Sequence, residues 1–230
     1  MTRWAYNLAI WLGVLVTLYA LTACSDSKSR VEKEYIVRVG DRVLTVLDFN
    51  KAFEIVKAAY HHNAMQDPKI LREARLRLLN QMTEEMIIMK RAQELGIEIS
   101  KEEVDKAIAN IKADYPEEVF QETLLENAIP YNSWEQGVKN RLLIKKVVDK
   151  ELAEHITITP DEISEYYKEN YQGEGLTSDF EDRSININEV IIKNVRRNKL
   201  EAAYKSWIQE LRKKYPIEIN RAKLGKIVAS

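Results

Sequence analysis

The chain has 230 residues with 35 Lys and Arg against 36 Asp and Glu, and this near-neutral balance argues against a nucleic-acid partner. Charged residues form 31% of the chain while glycines and prolines number only 7 and 5, a composition typical of long helices. The single cysteine excludes an internal disulfide, so a hydrophobic core must stabilise the fold, and a chain of this length can bury one.

The N-terminal residues have the pattern of a secretory signal. Arg3 is followed by the uncharged, largely apolar run Ala5–Ala23, and the small residues at its end suit a cleavage point. The run leads into Cys24 through Leu-Thr-Ala, which resembles the bacterial lipobox. That resemblance implies a signal peptide over 1–23, lipid attachment at Cys24 and a flexible tether over 24–33. An uncleaved membrane-spanning helix over the same run is the alternative.

Behind the tether, two short β-branched runs predict a hairpin, and apolar residues at helical spacing predict a series of helices. Asp67 before Pro68 is a helix start, and Ser100 and Ser133 each begin a capping-box motif. The first elements expected in chain order are strands over Tyr35–Val39 and Arg42–Val46, a helix from Asp48 that fades at His61, and a long helix from Pro68 to Leu95. Next come a helix from Lys101 that Tyr115-Pro116 breaks, a short helix around Phe120, a helix from Trp134 and a helix from Pro160 after Thr159. The last are a loop over Gln172–Ser184, a long helix ending at Tyr215 and a strand over Ile217–Asn220. These elements predict a mostly α fold with one small sheet, in which the C-terminal strand pairs with the hairpin.

The sequence contains no pattern typical of catalysis. There is no Gly-x-Ser-x-Gly motif and no phosphate-binding glycine loop, and the histidines are His61, His62 and His155. His61 and His62 point to different faces of a predicted helix end, which is poor geometry for a metal. We therefore expect no catalytic residue, no metal and no cofactor.

The order of elements resembles the SurA/PrsA family of extracytoplasmic foldase chaperones. The resemblance implies a helical chaperone core over 34–222, followed by a C-terminal tail over 223–230. It also implies binding of unfolded or partly folded secreted or outer-membrane polypeptides. The segments that carry it are Val39-Gly-Asp-Arg-Val-Leu-Thr45, Ala92-Gln-Glu-Leu-Gly96, Ile99-Ser-Lys-Glu-Glu-Val104, Ile158-Thr-Pro-Asp-Glu-Ile-Ser-Glu-Tyr-Tyr-Lys-Glu-Asn170, Ala203-Tyr-Lys-Ser-Trp-Ile-Gln-Glu-Leu-Arg212 and Ile217-Glu-Ile219.

The chain departs from this family at one point. Family members usually carry a parvulin-type prolyl isomerase domain between the helix that contains Tyr166 and Tyr167 and the closing helix. Here only the loop Gln172–Ser184 separates them, and a domain needs at least about 50 residues. We therefore expect a chaperone core that is not an enzyme, although a family-level description could still carry the isomerase name.

Two groups of residues are candidate client contacts. Met82, Met86 and Met89 share a helical face, and methionine is the adaptable residue of promiscuous binding surfaces. Ordinary core packing is the alternative for that face. Tyr166 and Tyr167 could line an aromatic wall, although adjacent residues cover different faces of a helix.

The resemblance leaves the partner open. A lipoprotein scaffold that holds one fixed partner, in an envelope export or polysaccharide machine, is the second hypothesis. Either protein would be periplasmic or at the cell surface and would bind the membrane through acylated Cys24. Ser25 favours the outer membrane if the host is Gram-negative. The basic run from Lys193 to Lys199 is either a solvated helix face or a contact with membrane headgroups.

Overall fold

The structure is a computed structural model that describes residues 35–58, 67–171 and 187–229. It confirms the expected fold class, since the described residues are mostly helical with one three-stranded antiparallel sheet. Cys24 with the predicted signal and tether, and the helix end at His61, lie outside the described residues. The elements are β1 (Tyr35–Val39), β2 (Arg42–Thr45), α1 (Val46–Ala58), α2 (Pro68–Glu94), α3 (Lys101–Ala113), α4 (Glu117–Glu126), α5 (Tyr131–Glu151), a 3₁₀ turn (Ala153–His155), α6 (Pro160–Tyr171), α7 (Ile187–Lys214), β3 (Ile217–Ile219) and α8 (Arg221–Ala229).

The small sheet joins the two ends of the described chain. Its strand order is β2-β1-β3, with Val39 of β1 opposite Ile217 of β3. Gly40, in the two-residue turn of the hairpin, has a φ of 59°, a left-handed conformation that glycine adopts at little cost. The predicted pairing of the C-terminal strand with the hairpin is therefore confirmed.

The described residues form two compact units, and the first contains the sheet, α1, α2 up to Thr83, and α8. Phe49 and Phe53 of α1 stack with ring centroids 6.1 Å apart, and both are buried. Val37 and Val39 of β1 are also buried, so the sheet and α1 supply the core of this unit.

The expectation of a tail over 223–230 differs from what the structure shows there. Residues Arg221–Ala229 form α8, which packs on β1 and buries Ile227. The helix begins here because Asn220 caps it: the Lys223 N–H donates to Asn220 Oδ1 at 3.2 Å. The sequence pattern places Asn220 at the end of the predicted strand, which conceals its capping role.

Three predicted helix starts are confirmed and two are wrong. Ser100 and Glu103 form the reciprocal capping box at α3, and Thr159 and Asp67 cap α6 and α2. The helix predicted from Asp48 begins two residues earlier, at Val46, because the Thr45 hydroxyl accepts the Asp48 N–H at 3.1 Å.

The helix predicted from Trp134 begins one turn earlier, at Tyr131. The Ser133 and Trp134 N–H groups already donate to the Pro130 carbonyl at 3.0 and 3.1 Å, so Pro130 precedes the first helical residue. Ser133 therefore lies inside the first turn rather than at its cap. The fixed φ of Pro130 suits the residue that precedes a helix, so the helix begins at Tyr131 and Ser133 does not act as its N-cap.

The second unit contains α2 from Glu84 onward and the helices α3 to α7. Its buried cluster of Ile99, Val104, Ile108 and Val138 joins α3 to α5, and Trp134 and Leu142 pack against it. Helix α7 buries Ile191 and Val195 in its first half but Ile208 and Leu211 in its second half. These pairs lie on different faces of the helix, so α7 has no single apolar stripe.

Candidate functional site

The second unit contains an open apolar cleft where the end of α3, the short helix α4 and the start of α5 meet. Its volume is about 390 Å³, within the range of about 300–1,000 Å³ that ligand clefts have in proteins. Its lining is Lys112, Phe120, Gln121, Leu124, Leu125, Ile129, Pro130 and Tyr131. We call this feature the aromatic cleft.

A tight chain reversal after α4 shapes the aromatic cleft. The Ala128 N–H donates to the Leu125 carbonyl at 2.9 Å, and the Ile129 N–H donates to the Leu124 carbonyl at 2.8 Å, which together form a Schellman motif. Ala128 occupies its left-handed position with a φ of 50°, where glycine is usual. The reversal brings the start of α5 back to α4, so that Tyr131 lines the same cleft as Leu124 and Leu125.

Aromatic contacts support one wall of the cleft. Phe120 meets Trp134 edge to face with centroids 4.9 Å apart, and Tyr131 lies 5.6 Å from the same indole. The Lys112 ammonium lies 4.9 Å from the Phe120 ring centroid and 5.7 Å from that of Tyr131. Because Trp134 also packs on the buried cluster of α3 and α5, the wall is anchored in the core of the unit.

Apolar side chains at the cleft are exposed to solvent. Leu125 is 80% exposed and Tyr131 is 46% exposed, and Val119 is also exposed on α4. Exposed apolar groups next to a cleft mark contact sites for other molecules more often than isolated ones do. A lining of this kind accepts apolar and aromatic side chains without demanding one hydrogen-bonding pattern.

The candidate contacts named from the sequence do not line the aromatic cleft. Met89 is 8% exposed and belongs to the core, while Met82 and Met86 are half-buried. Core packing, the alternative for this face, therefore describes Met89. Contact of Met82 and Met86 with a client stays a prediction.

The two tyrosines of α6 lie in different surroundings. Tyr167 stacks on Tyr171 with centroids 5.8 Å apart, so these two form a pair along the helix. Tyr166 lines a shallow groove of about 170 Å³ between α6 and α7, together with Val195 and Lys199. Their role as client contacts also stays a prediction.

The residues of the aromatic cleft were missed as candidate contacts. The sequence pattern predicts a short helix around Phe120 but does not mark that helix as a contact site. No local signal distinguished Leu124 from Leu125, because two adjacent apolar residues of a helix can both face a core, as Leu78 and Leu79 do on α2. Leu125 is the one that remains outside.

A network of charged groups joins α2, α5 and α7 elsewhere in the second unit. Glu151 of α5 accepts from Arg91 Nε at 2.9 Å and Nη2 at 2.5 Å, and from Trp207 Nε1 at 2.9 Å. The Arg91 and Glu151 side chains are 22% and 16% exposed. Glu94 accepts from Lys214 Nζ at 2.6 Å, which joins α2 directly to α7.

The pKa values of two carboxylates and one tyrosine in this network move further from neutral pH than their usual values. The hydrogen bond from Arg91 lowers the pKa of Glu151, and the hydrogen bond from Lys214 lowers the pKa of Glu94 to about 2. Burial raises the pKa of Tyr215 to about 12. General acid–base catalysis is most effective with a pKa near the working pH, so these groups suit a structural role.

The described residues thus comprise a first unit with a small sheet and a helical second unit with an open apolar cleft, which suits contact with other polypeptides. The chain belongs to the SurA-like N-terminal domain family, whose sequence model matches residues 2–148. No helix among the residues that the structure describes is long and apolar enough to cross a membrane.

Curated proteins with similar sequences are named as SurA chaperones. Chaperone SurA of Legionella pneumophila is 24% identical over 198 residues, covering 83% of this chain and 45% of the relative. Chaperone SurA of Pectobacterium atrosepticum is 25% identical over 170 residues, covering 71% of this chain and 39% of the relative. The chain therefore spans less than half the length of these relatives.

A solved structure from a study of two SurA-like chaperones of Campylobacter jejuni is also similar. It has a TM-score of 0.40 and 20% sequence identity, and the match covers 60% of this chain and 50% of that chain.

Proposed function

We propose that this protein is a periplasmic chaperone that binds unfolded or partly folded secreted and outer-membrane polypeptides in the aromatic cleft, without catalysis. The observation that carries the proposal is the cleft itself, an apolar site with an anchored aromatic wall and an exposed leucine at its edge. Membership of the SurA-like family, and curated relatives that are named chaperones, support the same role.

The chemistry of the cleft suits clients of many sequences. Burying one Leu or Phe side chain contributes about 1.5–3 kcal/mol, and two or three such side chains would give affinities of about micromolar to millimolar. Weak binding of this kind holds an unfolded segment and releases it again. The apolar lining offers few fixed polar groups that would select one sequence.

The non-catalytic part of the proposal rests on two observations. The match is to the SurA-like N-terminal domain, and residues 172–186 between α6 and α7 are far fewer than the roughly 50 that a small domain needs. Acceleration of a proline-limited refolding reaction by the purified protein would contradict it.

The proposal includes a lipid anchor at Cys24, which lies outside the described residues and is supported by the sequence alone. One acyl chain gives only marginal membrane binding, whereas a multiply acylated cysteine gives a stable anchor. Mass spectrometry of the N-terminal peptide and detergent phase partition test the anchor. We expect the Cys24→Ala variant to lose the acyl mass and to leave the detergent phase.

Aggregation of a denatured outer-membrane protein, followed by light scattering, tests the proposed activity. We expect the full chain to suppress aggregation, and Leu125→Ser to require about five- to tenfold more protein for the same suppression, since about 1–1.4 kcal/mol of contact is lost. Leu47→Ser is the matched control, because Leu47 is 62% exposed and lies on α1 in the first unit. Equal suppression by both variants would contradict the cleft as the binding site.

A single stoichiometric partner recovered from solubilised membranes, with no suppression of aggregation, would favour the scaffold hypothesis instead. A mixture of client proteins in the same experiment would favour the chaperone.

A further inference from the structure

The first half of α7 carries three exposed cations on one face. Lys193, Arg196 and Arg197 are spaced three and four residues apart, so they share a side of the helix. Ile191 and Val195, which are buried, mark the opposite side, where α7 packs on α6. The three cations therefore point away from the helix that α7 covers.

These cations differ from many others on the surface. Some exposed cations pair with a carboxylate one turn away, as Lys101 does with Asp105 on α3 and Lys205 with Glu201 in the second half of α7. Across residues 35–58, 67–171 and 187–229, no ion pair joins Lys193, Arg196 or Arg197 to an acidic side chain.

The basic run predicted from the sequence divides into two parts. Lys199 donates to Glu162 at 2.5 Å and to the Thr157 carbonyl at 2.7 Å, so it holds α7 against the start of α6. Within the part of the chain that the structure describes, Lys193, Arg196 and Arg197 make no such contact. They give this part of the surface a local excess of positive charge, which only Glu189 offsets on the same half of the helix.

Two apolar side chains flank the cations. Val190 is 36% exposed and Ile192 is 37% exposed, and they lie on either side of the basic face. Cations with exposed apolar neighbours on a helix suit the boundary between headgroups and acyl chains of a bilayer. An acidic polypeptide would need the charges but not the apolar flanks.

We propose that the face formed by Val190, Ile192, Lys193, Arg196 and Arg197 docks on an anionic phospholipid surface. The inference rests on the proposed lipid anchor, because the residues between Cys24 and Tyr35 can span at most about 40 Å and so keep the protein near its bilayer. The anchor supplies attachment, and the basic face supplies an orientation on the surface.

A fluorophore placed on this face tests the docking. Cys24 is the only cysteine, so in the acylated full chain the thiol of Ile192→Cys can be labelled alone. The labelled protein is reconstituted into phosphatidylcholine vesicles with or without phosphatidylglycerol, and quenching by a headgroup-labelled lipid is measured. We expect strong quenching only with phosphatidylglycerol, and its loss at about 1 M salt, where the Debye length falls to about 3 Å.

Neutralising the cations should remove the docking. Each cation near an anionic surface changes the ratio of docked to undocked protein by roughly fivefold, so Lys193→Gln with Arg196→Gln and Arg197→Gln should lower it about a hundredfold. The control carries Lys106→Gln, Lys139→Gln and Arg141→Gln, three exposed cations of α3 and α5, and changes the net charge equally. It should dock like the parent.

Other outcomes overturn the proposal. Equal quenching in neutral vesicles, or the same loss in the control, would show that this face does not recognise anionic lipid. A response of the label to polyglutamate but not to phosphatidylglycerol would assign the face to an acidic polypeptide. A chain without acyl mass would contradict the anchor alone, because docking can still be measured by adding vesicles to the labelled protein.

Discussion

Glu151 is the centre of the contacts that hold α7 against α2 and α5, and its replacement by glutamine should destabilise the second unit. The carboxylate accepts three hydrogen bonds, two from Arg91 and one from Trp207. Glutamine keeps the size of the side chain but replaces one acceptor with a donor that faces Arg91.

The expected loss can be estimated from the exposure of the pair. Removing one partner of a fully buried ion pair costs about 3–5 kcal/mol, and a hydrogen bond to a charged group contributes about 1.5–3 kcal/mol. Because Arg91 and Glu151 keep 22% and 16% of their side-chain exposure, water compensates part of the loss. We expect Glu151→Gln to lower the free energy of unfolding by about 2–4 kcal/mol.

Urea denaturation followed by tryptophan fluorescence measures this loss, because Trp207 itself donates to Glu151. The matched control is Glu201→Gln on the outer side of α7, where Glu201 is 66% exposed and pairs with Lys205 at 3.4 Å. An exposed pair of this kind contributes at most about 1 kcal/mol. If both variants lower the stability equally, the network does not hold α7 in place.

Three further predictions follow from the same structure. Ala128→Gly should stabilise the protein by about 0.5–1 kcal/mol because Ala128 has a left-handed φ, whereas Ala109→Gly inside α3 should destabilise it by about 1 kcal/mol; thermal melts of both variants check this. Glu94 has an ordinary pKa of 4.5 and a folded pKa of about 2, so its contribution to stability is present above pH 4.5 and lost as the pH falls towards 2. Glu94→Gln should therefore flatten the acid limb of the stability profile, and an unchanged limb would exclude Glu94 as a cause. Deleting residues from Ile217 onward removes β3 and α8 from the first unit, and circular dichroism should show that it no longer melts cooperatively; a parent-like melt would make that segment an appendage.

The fold class could be predicted because local signals agree with the tertiary structure over most of the chain. Helical periodicity and caps at Ser100 and Thr159 are local properties, and the structure uses them as expected. The pairing of β3 with β1 is not local, and it was predicted from the strand patterns on either side of the helices.

The errors occur where one residue can serve two structures. Asn220 follows a strand and begins a helix, and the strand pattern concealed the cap. Ser133 has the spacing of a capping box, but Pro130 already starts the helix one turn earlier. Local patterns cannot choose between such starts, because the choice depends on how the preceding segment packs.

The aromatic cleft could not be located from periodicity. Leu124 and Leu125 both add to the apolar pattern of α4. Only the packing of α4 beside α5 decides that Leu125 remains exposed. Likewise, α7 changes its buried face between Val195 and Ile208, so only its second half showed a clear pattern in the sequence. Exposure of an apolar side chain is a tertiary property, and the candidate site depends on it.

Photo-cross-linking at the edge of the cleft tests the central claim most directly. Benzoylphenylalanine is placed at Leu125 or, as the control, at Leu47, two exposed positions on different units. The protein is then irradiated with a labelled, unfolded outer-membrane polypeptide. The proposed function predicts a cross-link at position 125 that excess unlabelled polypeptide removes, and little or none at position 47. Equal cross-linking at the two positions, or cross-linking at position 47 alone, would contradict the aromatic cleft as the polypeptide-binding site.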